Sequence, residues 1–246
     1  MIPSFLFNEA EDIAHRLRLD PSLLDFLYAN SKHNPLPPRD EWERHVRMST
    51  ALNRVMRIED ADSFDEFFDQ ETKDTAFDKV RSANGLLLLT YHGGFTGARK
   101  GFLDAISNQI PLTRLGKKSI VEDQRQALFK ALRSLQDGEA VIMAPDGPRG
   151  KQFEPPKVLG KTWSAGEGAA FLAEMSGCTT AWYSVGRRDR QLTLSIELGP
   201  KFERGMSSKE FSARLYQFYA NMIESQFTGD PRNIVLKIRW NKILSS

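Results

Sequence analysis

An α/β protein with one mostly parallel central sheet flanked by helices, preceded by an N-terminal helical segment, is the fold class this sequence predicts. Three observations carry it. From residue 85 onward, short apolar runs alternate with helical stretches, the pattern of parallel strands joined by covering helices. Before residue 80 the apolar periodicity is helical, interrupted by prolines. The length, 246 residues, suits one α/β core better than two. We therefore expect residues 1–80 to form a helical segment packed on a core of residues 81–246, as a single domain overall.

The elements follow in order. Asn8 with Glu11 has the spacing of a capping box, and Asp20 before Pro21 marks a second helix start, because proline at the first helical position loses no hydrogen bond. Three prolines in HNPLPPRD, residues 33–40, require an extended connector. Trp42, Val46, Leu52, Val55 and Met56 then recur at helical spacing through 41–58, and Ser63 with Glu66 repeats the capping pattern ahead of Phe67 and Phe68. Strands are expected near 85–91, 109–114, 139–144, 179–185 and 192–198, with helices near 96–107, 122–136, 166–176 and 207–227 and a last amphipathic stretch over 232–243.

Composition narrows the function classes. Lys and Arg number 34 against 32 Asp and Glu, a net charge of +2, and 40% of residues are hydrophobic, which excludes a disordered chain, a collagen and a general nucleic-acid coat. A single cysteine, Cys178, permits no intramolecular disulfide and no all-cysteine metal site; it reads as a packed residue, and no metal is expected. The longest aliphatic run, Leu86 to Leu89, is far short of the roughly 20 residues of a membrane span. The opening MIPSFLFNEAEDIAHR lacks a basic leader, so a cytoplasmic protein is expected.

His92 is the histidine placed for chemistry. It follows GLLLLTY, where a buried strand should leave the sheet, and Gly93, Gly94, Phe95, Thr96 and Gly97 lead from it into a helix. Open α/β sheets bind ligands beyond the carboxyl ends of their strands, and glycines there let backbone N–H groups approach an anion. A second strand, AVIMA, ends in Pro145, Asp146, Gly147, Pro148, Arg149, Gly150 and Lys151, which presents a carboxylate and two cations at the same edge. Arg114, at the end of the intervening strand, is a further candidate. Gly160-Lys161-Thr162 lacks the upstream glycine of a phosphate-binding loop, Ser164 lacks the glycine of a nucleophile elbow, and the acids between Glu59 and Asp74, Asp69 among them, lack calcium-loop spacing and read as a solvated face.

LLLLTYHGGF and VIMAPDGPRG, with the long block from PPKVLGKTW to SIELGP and the closing GDPRNIVLKIRW, resemble the glycerolipid acyltransferase superfamily, in particular its lipid A lauroyl/myristoyl acyltransferase group and the PDGPRG-containing relatives. The resemblance covers about residues 85–243. It implies transfer of a fatty acyl group from a thioester, acyl-CoA or acyl carrier protein, to a hydroxyl or amine of a lipid or small-molecule acceptor. No cofactor beyond that co-substrate and no nucleic acid is implied; peripheral contact at the inner membrane surface is. The family motif places Asp or Glu five positions after its histidine, and here that position is Gly97. His92 would be the base and Asp146 the substitute for the missing acid, with Gly93, Gly94, Phe95, Thr96, Arg114, Gly147, Arg149 and Lys151 binding substrate. The alternatives are a non-catalytic acyl- or lipid-binding protein of the same fold, and a docking module that uses the basic helix of Arg44, Arg47, Arg54 and Arg57.

Overall fold

A computed structural model describes residues 1–58, 64–91, 94–95, 99–115, 117–145, 156–163 and 165–236. The fold is α/β, with a mixed, mostly parallel sheet between two helical layers. Helices α1 (Ser4–Arg16), α2 (Pro21–Ala29), α3 (Arg39–Ile58) and α4 (Gln70–Arg81) precede strand β1 (Leu86–Leu89), with a single 3-10 turn at Phe64–Phe67. Then come α5 (Arg99–Ser107), β2 (Leu112–Leu115), α6 (Lys117–Gln136) and β3 (Ala140–Met143). The small hairpin β4 (Lys157–Val158) and β5 (Lys161–Thr162) leads to α7 (Gly168–Ser176), β6 (Thr179–Arg188), β7 (Gln191–Leu198), α8 (Ser208–Thr228) and a 3-10 turn at Pro231–Asn233.

The strand order is β2-β3-β1-β6-β7. β2, β3, β1 and β6 run parallel, and β7 returns antiparallel to β6 through a tight hairpin. Side chains alternate across a strand, so the all-leucine β1 feeds both faces. Leu87 and Leu89 join one apolar cluster with Val141, Met143 and Trp182, covered by α6, α7 and α8 and by Leu23, Leu27, Trp42 and Val46 from the N-terminal helices. Leu86 and Leu88 join the other with Ala140, Ile142 and Tyr183, covered by α1, α4, α5 and the second half of α3. Each leucine so buried contributes about 1.5–3 kcal/mol. Gly85 enters β1 at φ +72, and a Cβ there would stand 2.4 Å from the Leu135 carbonyl oxygen, so only glycine fits.

Several local expectations are corrected. Asn8 lies inside α1, which starts at Ser4 with Phe7 N–H bonded to the Pro3 carbonyl at 3.1 Å; the buried face of Leu6 and Ala10, with Ile2 before it, begins ahead of the capping pattern. Asp20 does cap α2, its carboxylate accepting from the N–H groups of Ser22 at 3.0 Å and Leu23 at 3.5 Å. Asp69, read as solvated, caps α4 by accepting from Thr72 N–H at 3.0 Å. That helix buries Ala76, Phe77 and Val80, and it closes the outer edge of β7. Asp69 N–H bonds the Leu192 carbonyl at 2.7 Å, Leu194 N–H bonds the Thr72 hydroxyl at 3.2 Å, and the Lys79 ammonium donates to the Ile196 carbonyl. Ser63 and the tail beyond Leu236 lie outside the described residues.

Candidate functional site

Because β1 and β3 are parallel neighbours, paired from Leu86↔Ala140 to Leu89↔Met143, the chain leaves both at one edge. Thr90 N–H continues the ladder to the Met143 carbonyl at 3.1 Å. His92, Gly93, Thr96 and Gly97, which follow β1, lie outside the described residues, as do Asp146, Gly147, Arg149 and Lys151, which follow β3. What the structure describes is the support beneath these two exits.

That support is aromatic and hydrogen-bonded. Tyr91 is buried, stacked on Trp182 with ring centroids 5.5 Å apart and meeting Phe227 edge-on at 6.1 Å. Trp182 sits beside Leu89 in the β1–β6 register, so the stack follows directly from strand pairing. The Tyr219 hydroxyl donates to the Thr90 carbonyl at 3.0 Å, tying α8 to the end of β1. Gly94 adopts φ +63, a backbone conformation that favours glycine, and a Cβ there would stand in ordinary contact, 3.5 Å, with the Tyr91 hydroxyl. Phe95 is only 3% exposed and belongs to the cluster of Leu86, Leu88 and Phe102, so its ring serves the core.

The exit of β3 is fastened as firmly. The Pro145 carbonyl accepts from Gly166 N–H at 2.7 Å, and the Gly166 carbonyl accepts the Tyr216 hydroxyl, so α8 braces the strand end at Pro145 through Gly166. α7 then starts at Gly168, where a Cβ would be 3.7 Å from Leu128 and 3.8 Å from Met143.

Arg114 occupies β2 opposite Ile142, one residue short of the strand end, and its guanidinium is paired with Asp104 of α5 at 2.9 Å. Both side chains are about half exposed, 47% and 51%, so the pair holds the arginine loosely. Arg47, counted in the basic helix, is a structural tie: it donates to Glu43 at 2.8 Å and to the Leu17 carbonyl. Cys178 is buried and its thiol is pushed above its ordinary pKa by that burial, which leaves it a packed, unreactive group.

A polar stripe on α3 was not among the sequence candidates. Ser49 and Thr50, with Asn53, are the buried polar residues of a helix whose other buried residues are apolar. The Ser49 hydroxyl donates to the Arg232 carbonyl at 2.6 Å and the Thr50 hydroxyl accepts from Leu236 N–H at 3.0 Å, holding segment 232–236 along the helix. Two adjacent hydroxyl residues inside an apolar helical face are the signal that could have found it.

Among the described residues no cluster of three metal-ligating side chains occurs, and no helix is long and apolar enough to cross a membrane. No protein-family model matches the chain, and no curated protein is significantly similar to it.

Proposed function

We propose that the protein is an acyltransferase that moves a fatty acyl group from a thioester donor, acyl-CoA or acyl carrier protein, to a hydroxyl or amine of a lipid or phosphate-bearing acceptor. The observation that supports it most is the direct pairing of β1 with β3, which sends the His92 and Asp146 segments out from adjacent strands, about 4.8 Å apart in a sheet. The bracing of both exits by α8 supports it further, since a catalytic pair needs a rigid base.

In this reading His92 takes the proton of the acceptor as its oxygen or nitrogen attacks the thioester carbonyl, because a neutral alcohol is a poor nucleophile until that proton leaves. The N–H groups after Gly93 stabilise the oxyanion of the tetrahedral intermediate. Collapse breaks the carbon–sulfur bond, and the leaving thiolate recovers the proton from the imidazolium. Asp146 accepts the other imidazole N–H, the task Gly97 cannot perform. Arg149 and Lys151 bind phosphate, which suits a guanidinium fork. Arg114 assists only by giving up Asp104. The reading places the protein in the cytoplasm, with peripheral contact at the inner membrane surface.

Gly97 also favours a second reading, a protein that binds acyl or lipid ligands without turnover. One experiment separates them: incubation with acyl-CoA and acyl carrier protein thioesters and a lipid extract, followed by mass spectrometry for thioester loss and new acyl products. Turnover that falls at least about 10³-fold in both His92→Ala and Asp146→Asn supports the enzyme. Ligand binding without turnover in the parent protein supports the binding reading.

A further inference from the structure

Of the large apolar side chains exposed among the described residues, three share one helix pair. Phe129 of α6 is 62% exposed, and Phe171 and Met175 of α7 are 43% and 53% exposed. α6 runs from the carboxyl end of β2 to the amino end of β3, and α7 runs from beside Pro145 to the start of β6, so the two helices lie parallel. A Cβ on Gly168 would stand 3.7 Å from Leu128, which sets the helices level at those two residues. Both rise about 1.5 Å per residue, so Phe171 comes level with Ala131 and Met175 with Leu135. Leu132, one turn on from Leu128, is partly buried and continues the seam toward α7. The result is an apolar strip on the outside of the helical layer. Apolar groups exposed singly are ordinary, whereas a strip of them marks an interaction surface.

The strip carries opposite charges on its two sides. On the α6 side Arg125, Lys130 and Arg133 are exposed, with Asp137 beyond the helix end, and Lys130 and Arg133 pair with no acid among the described residues. On the far side of α7 Glu174 accepts from the Ser208 hydroxyl of α8, and Glu167, seven residues earlier, lies on that same side and is exposed. Lys209 and the Glu210–Arg214 pair follow on α8, one helix further out. An anionic lipid surface or an acidic protein would be drawn to the α6 side and repelled by the α7 side. A second copy of this chain satisfies both, because a two-fold axis through the strip turns the basic side of one copy onto the acidic side of the other.

We propose that the α6–α7 strip is the interface of a homodimer, closed by a two-fold axis between Leu132 and Phe171. With the helices level as above, that axis sets Phe129 against the second copy's α7 between Phe171 and Met175. It brings Lys130 beside Glu174 of the second copy and Arg133 within one turn of its Glu167, and each contact occurs twice. The proposal stands independently of the acyltransferase reading. So small a patch gives a weak dimer, with a dissociation constant of about 10 µM.

Sedimentation velocity of the full chain from about 1 to 200 µM tests this, with circular dichroism melts to check the fold of each variant. The expected result is a monomer that becomes a dimer as concentration rises. Phe129→Asp should weaken association at least about tenfold. Arg133→Glu and Glu167→Lys should each weaken it several-fold, and the double variant should return to within about twofold of the parent. A monomer at every concentration overturns the proposal, whether or not the strip then binds anionic vesicles. A dimer untouched by Phe129→Asp overturns this face as the interface. A dimer that ignores the charge reversals, or that the double variant fails to restore, overturns the two-fold pairing. Should Phe129→Asp fail to fold, the charge variants decide alone.

Discussion

On the sheet face where Leu87 and Leu89 point, the principal cover is α6, which joins β2 to β3, α7, which leads into β6, and α8, which follows β7. On the face of Leu86 and Leu88, only α5 joins two strands; α1, α3 and α4 all come from the chain before β1. The first cover comes largely from helices that join or directly follow the strands they lie on. The second forms only when distant helices dock, and it is nonetheless buried as completely as the first. The N-terminal helices thus supply most of the cover on one face and part of it on the other.

This contrast can be broken most sharply at β1. Leu87→Ala and Leu88→Ala empty buried volume on opposite faces, and each is expected to cost about 3 kcal/mol in urea unfolding. A cost under about 1 kcal/mol for Leu88→Ala alone would mean the N-terminal cover is loosely held. Gly85→Ala, at the point where β1 enters between the layers, is expected to cost about 2 kcal/mol, through its positive φ and the carbonyl it would meet. Unchanged stability would show that the entry to β1 can shift. Smaller, at about 1 kcal/mol each in thermal melts, are Asp20→Ala, which uncaps α2 on one face, and Asp69→Ala, which uncaps α4 on the other. The least effect is expected for Arg114→Ala, within about 0.5 kcal/mol, because its pair with Asp104 is half exposed; a larger loss would make Arg114 part of the frame.

What was legible in the sequence follows the same division. The alternation after residue 85 and the Asp20-Pro21 start are local signals, and both read correctly. α4 did not show, because its apolar residues Ala76, Phe77 and Val80 are few and sit among charged residues of both signs, and Asp69 reads as a cap only once a helix follows it. The expected end of β6 at 185 fell short because Gly186, Arg187 and Arg188 resemble a loop; their pairing with Thr193, Leu192 and Gln191 and their cover by α3 are long-range events. At the candidate site, the strand ends were readable from apolar runs and glycines. The bracing by Tyr216 and Tyr219 was not, since it needs α8 to fold back across the sheet.

The outer edge of β7 has a consequence for life in a crowded solution. An open strand edge offers its N–H and carbonyl groups to any extended chain that drifts by, and stacking of copies begins there. In this protein Asp69 takes the Leu192 carbonyl, Thr72 takes the Leu194 N–H and Lys79 takes the Ile196 carbonyl. A passing strand finds that row of positions filled by a helix start and two side chains, one of them charged. Concentrated protein should accordingly resist fibril growth from this edge, and a loss of α4 would open it.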